Sequence, residues 1–99
     1  MEPKWQQVSD SQYSLRGDLN RDTVPALWPL LQSIEFHSQQ TELSLKDLTR
    51  VDSAGMVMLI HLIEHAKKQN CHIMLSFVPE QLRTLFQLSN VDEFIAEHL

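Results

Sequence analysis

Residues 43–77 constrain this chain most, because they read as a strand, a tight polar turn, a long helix and a second strand. Thr41-Glu-Leu-Ser-Leu45 alternates polar and apolar residues, the period of a half-buried strand. Asp47-Leu-Thr-Arg-Val-Asp-Ser53 supplies turn and N-cap chemistry. A helix-length run from Ala54 to Gln69 is interrupted by Asn70, and Ile73-Met-Leu-Ser-Phe-Val78 is again strand-like. Two strands joined through a helix of this length form a parallel crossover unit, nearly always right-handed. The turn into the helix is where function is expected.

The flanks extend this unit. Trp5–Val8 and Tyr13–Arg16 are short strand candidates around a hairpin-like Ser9-Asp-Ser-Gln12, and Gly17-Asp-Leu-Asn20 ends the second. A helix opens at Asp22-Thr-Val-Pro25, with Thr23 as cap and Ala26, Leu27, Leu30, Leu31 and Ile34 at helical spacing. Pro29 predicts a kink or restart there. Pro79-Glu-Gln81 opens a third helix with Leu82, Leu85, Phe86 and Leu88 toward the core, and Ser89-Asn90 breaks it. Val91–Leu99 closes as a short helix offering Phe94 and Ile95 for burial. The predicted fold is α/β, one domain over residues 1–99, with a small mixed sheet and helices packed on it in the order β-β-α-β-α-β-α-α.

Composition excludes several function classes. The 99 residues carry a formal net charge of -5, which argues against nucleic acid and against docking on anionic lipid through charge. No 18-residue apolar run is present, so no membrane insertion is expected. The start lacks a signal-peptide pattern, and the lone Cys71 allows no internal disulfide; both fit a cytoplasmic protein. With only Gly17 and Gly55, the chain has no phosphate-binding loop or dinucleotide fingerprint, so any nucleotide hydrolysis belongs to another chain.

Catalytic constellations are equally sparse. His61 and His65 have the i,i+4 spacing of zinc ligands, but Glu64 is misplaced for a protease motif and no third ligand is evident. Two solvated histidines on a polar helix face is the better reading. Cys71 heads a buried strand and reads as a core thiol. No nucleophile triad can be assembled. The expectation is a non-enzymatic protein without metal or cofactor.

Asp52-Ser53-Ala54-Gly55 is the remaining candidate, and two readings of it stand. Asp or Ser before a helix is an N-cap, worth about 0.5–2 kcal/mol. Alternatively, Ser53 is displayed for recognition or phosphorylation at the positive end of the helix dipole. A helical wheel places Gly55, Leu59, Leu62, Ile63 and Ala66 toward the sheet, with Ser53, His61, Glu64, His65 and Lys68 opposite. Val57 and Ile60 fall on the polar side. Branched apolar residues beside a displayed hydroxyl predict a docking stripe made of Asp52, Ser53, Ala54, Val57, Ile60, His61 and Glu64.

Leu48-Thr-Arg-Val-Asp-Ser-Ala-Gly-Met-Val-Met-Leu59, between a strand and a helix, resembles the signature of STAS domains, the family of anti-sigma factor antagonists. Gly17-Asp-Leu-Asn20 followed by Thr23 resembles an earlier segment of that family, with Asn20 where signalling members carry aspartate. Ala26-Leu-Trp28 and Leu59–Asn70 are similar to the small STAS subunits of bacterial phospholipid-transporting ABC complexes. The resemblance implies a cytoplasmic subunit, held at the inner membrane by binding the transporter's ATPase subunit. It would support assembly and activity of a complex that maintains outer-membrane lipid asymmetry. The alternative it implies is an anti-sigma factor antagonist phosphorylated at Ser53.

Overall fold

A computed structural model describes residues 3–99. Its elements are β1 (Lys4–Ser9), β2 (Gln12–Leu19), α1 (Val24–Gln32), β3 (Gln40–Ser44), β4 (Leu48–Val51), α2 (Ser53–Lys68), β5 (His72–Ser76), α3 (Glu80–Leu88) and α4 (Asp92–Ala96). The sheet runs β1-β2-β3-β5. The first pair is antiparallel and the next two are parallel, so β3, α2 and β5 form the expected parallel crossover unit.

Strand alternation decides which face is covered. Tyr13, Leu15 and Leu19 of β2, Thr41 and Leu43 of β3, and Ile73 and Leu75 of β5 are buried. The intervening Ser14, Arg16, Glu42, Ser44, Met74 and Ser76 are partly or fully exposed. The helices complete the core from the buried side through Leu27 and Leu31 of α1, Leu59, Leu62, Ile63 and Ala66 of α2, and Leu82 and Phe86 of α3. Ala26 and Leu30, which share the apolar spacing of α1, are exposed.

One strand departs from the expected order. Residues 48–51, read from sequence as turn, form β4, which pairs in parallel with the second half of β2 while β3 pairs with the first half. β3 and β4 thus run successively along β2, separated by a turn closed by Leu48 N–H donating to the Leu45 carbonyl at 3.2 Å. Gly17, at φ 97, takes up the register shift opposite this turn. The second strand therefore continues to Leu19 rather than ending at Arg16.

Three further boundaries differ from expectation. Pro29 lies inside a continuous α1, without a restart. Thr23 makes no side-chain cap; the Asn20 amide oxygen instead accepts from the Asp22 and Thr23 N–H groups at 2.8 and 3.1 Å. β5 stops at Ser76 because Phe77 turns to φ 53, where its ring is exposed near Lys46. Asn70 and Asn90, at φ 60 and 56, end α2 and α3, the left-handed role asparagine tolerates. Leu88 is exposed rather than facing the core.

Candidate functional site

The turn from β4 into α2 lies at the end of β2, where the Asp52 N–H donates to the Leu19 carbonyl at 3.0 Å. Asp52 is the N-cap: its Oδ1 accepts from the N–H groups of Ala54 at 2.9 Å and Gly55 at 3.2 Å. This satisfies two of the four amides that a helix start leaves unpaired. Ser53 is the first helical residue and is exposed. The capping and recognition roles that sequence left open for Ser53 thus separate, with Asp52 taking the first.

Gly55 explains why the turn can sit so close to the sheet. A Cβ there would lie 2.6 Å from Leu19 Cβ, 2.8 Å from the Leu19 carbonyl oxygen and 2.9 Å from Val51 Cγ2. No side chain fits without displacing the helix. Beside the turn, the Thr49 hydroxyl donates to Asp18 and holds its carboxyl below the usual carboxylate range, with Arg50 adding a smaller effect of the same sign.

Along α2 the structure brings Ser53, Val57, His61 and Glu64 onto one exposed face, with Val57 45% accessible. Ala54 is half-buried at the margin. Ile60 is also half-buried and packs against the core, so it is not the freely exposed residue the wheel suggested. The buried arc is wider than expected because α2 packs against α1, α3, β4 and β5 together, which also covers Met56 and Met58.

The two histidines do not share one environment. His61 is exposed and lies against Trp28, ring centroids 6.0 Å apart. His65 is half-buried, and its Nε2 is 3.2 Å from the Ile34 carbonyl and 3.0 Å from Gln69 Nε2. Gln69 also accepts from the Phe36 N–H at 2.7 Å and donates to the Ile34 carbonyl at 2.9 Å. His65 is therefore a brace on the segment after α1 rather than a solvated partner of His61. Trp28, Gln32, His61, Glu64, His65 and Lys68 line a shallow polar groove between α1 and α2. Among the described residues, no three His, Cys, Asp or Glu side chains converge as metal ligands. Cys71 is buried, its thiol 3.2 Å from Thr41 Oγ1.

These positions carry separable effects. Asp52→Ala removes the acceptor of two amides and should lower stability by about 1 kcal/mol. Ser53→Ala removes an exposed hydroxyl that does not cap, and should change stability by less than about 0.5 kcal/mol. Urea unfolding of the two variants checks this; a larger loss for Ser53→Ala would contradict the assignment of the cap.

A four-stranded path with a forked β4, a capped serine turn and an exposed helix face defines a STAS-type domain. The structure of the unphosphorylated anti-sigma factor antagonist SpoIIAA superposes with a TM-score of 0.71 at 16% identity, covering 92% of this chain and 83% of that one. The chain belongs to the family described as "Mlab, STAS domain", whose model matches residues 6–97. It is 34% identical over 87 residues to the intermembrane phospholipid transport system binding protein MlaB of Escherichia coli (strain K12), covering 88% of this chain and 87% of that protein. It is 24% identical over 90 residues to the anti-sigma-B factor antagonist of Bacillus subtilis (strain 168), covering 91% of this chain and 83% of that protein. Among the described residues, no helix is long and apolar enough to cross a membrane.

Proposed function

We propose that this chain is the STAS subunit of a phospholipid-transporting ABC complex and acts by binding the complex's ATPase rather than by catalysis. In this reading it sits at the cytoplasmic side of the inner membrane through that contact. It supports assembly and activity of a transporter that maintains outer-membrane lipid asymmetry. The relatives named for intermembrane phospholipid transport support the setting. The observation that carries the mode of action is the outer face of α2. Ser53 is released from capping by Asp52, and exposed Val57 lies one turn further on, followed by His61 and Glu64.

A second reading has its own support. A serine exposed at a helix N-terminus accepts phosphate favourably, and an anti-sigma factor antagonist is among the relatives. Capture of tagged chain from native lysate separates the two. An ABC ATPase in the eluate supports the first reading, and a serine kinase with a sigma-factor system supports the second. Recovery of neither would contradict both. Intact mass adds an independent check: a constitutive subunit should carry the unmodified mass, whereas a phosphorylated fraction at Ser53 that varies with growth would favour signalling.

A further inference from the structure

β5 ends the sheet on its side, and such an edge presents unpaired N–H and C=O groups that invite pairing with another strand. Here the segment after α4 lies along it. Leu75 N–H donates to the His98 carbonyl at 2.6 Å. His98 Nδ1 is 2.7 Å from the Ile73 carbonyl, and His72 Nε2 is 2.8 Å from the Glu97 carbonyl. A carbonyl only accepts, so both ring nitrogens donate. Three hydrogen bonds thus tie residues 97–98 to the edge.

His98 is wholly buried, although sequence gave it no role. Its ring stacks on His72 with centroids 4.6 Å apart and lies 5.7 Å from Phe94. With Nδ1–H donating to Ile73, the neutral ring leaves Nε2 a bare lone pair, and that atom has no hydrogen-bond partner among the described residues. Protonation would put an N–H there. The nearest acceptor, Glu97 Oε1 at 3.4 Å, also accepts from Lys67 Nζ at 3.2 Å, so Glu97 favours the charged ring against the cost of its burial. The charged groups acting on His98 are His72 of β5, Lys67 of α2 and Glu97 beside it; the first two oppose a positive ring and Glu97 favours it.

We propose that residues 97–98 form an acid-released strap on the edge of β5, latched by His98 in its neutral form. Burial is the main effect disfavouring the charged ring and holds its pKa below the ordinary value, against the opposing bond to Ile73. The opened segment takes up a proton more readily than the latched one. The latch is therefore at full strength above about pH 6.5 and weakens as pH falls from there through the folded pKa. This inference is independent of the identity of any partner.

Amide exchange of the whole chain by NMR, corrected for intrinsic rates, tests it. From pH 7.5 to 5.5, protection of the Leu75 amide should fall several-fold relative to Leu43 in mid-sheet. The limit is about tenfold, set by one pH unit below an ordinary histidine pKa. His98→Asn can keep a donor near the Ile73 carbonyl without titrating, so the ratio should become independent of pH. Unchanged Leu75 protection, an equal fall at Leu43, or a pH response retained in His98→Asn would each overturn the strap. Should that variant fail to fold, the His98 ring titration of the unmodified chain decides. A midpoint below about 6.5, near the pH at which the loss at Leu75 levels off, supports the latch, and a midpoint at or above about 6.5 overturns it.

Discussion

Val57→Asp should leave the chain folded and abolish the proposed capture of the ATPase, while Leu59→Asp, two residues on, should unfold it. Val57 is 45% accessible, so a carboxylate there stays hydrated and should change stability by no more than about 0.5 kcal/mol. In a complex the same carboxylate would be buried without a partner, a cost of about 3–5 kcal/mol for a broken charge pair and comparable here. That corresponds to a loss of affinity of more than about a hundredfold. Leu59 is fully buried, and a charge at that position costs several kcal/mol against a total stability of about 5–15 kcal/mol. Circular dichroism melts alongside a binding titration with purified ATPase check both halves. Ile60→Glu is a poorer probe, because Ile60 packs against the core and its loss would mix folding with binding.

Gly55 carries the second large effect. Gly55→Val should prevent folding, and Gly55→Ala should lower stability by about 1–3 kcal/mol even though alanine gains about 1 kcal/mol of helix propensity. The asymmetry arises because the first atoms met are Leu19 Cβ and the Leu19 carbonyl, which cannot rotate away. That carbonyl is also held by the Asp52 N–H, so moving it loosens the same turn. At about 4–8 °C per kcal/mol for a domain of this size, Gly55→Ala should melt at least several degrees lower. A variant that melts higher would mean that α2 does not approach β2 this closely.

The sheet-facing side of α2 was legible because helical periodicity alone places Gly55, Leu59, Leu62, Ile63 and Ala66 together, and all five are buried. The rest of its circumference was not. Met56, Met58 and part of Ile60 are covered by neighbours that packing, rather than local spacing, brings there. β4 was hidden for a related reason: it has four residues of which only Val51 is buried, too short to show alternation. Its polar composition reads equally well as turn. In the candidate site, the choice between Asp52 and Ser53 as cap depended on which of the two keeps an extended backbone where the helix begins, a one-residue boundary that local sequence does not resolve. His98 was missed because its burial comes from stacking on His72, a residue 26 positions earlier.

The central claim is that the outer face of α2 touches the ATPase. Photocrosslinking in the assembled complex reads this directly, with the reactive side chain placed at Val57 or, on the exposed end of α3, at Leu88. The account predicts a covalent adduct with the ATPase from position 57 and none from position 88. An adduct from 88 alone would contradict it and move the contact to α3.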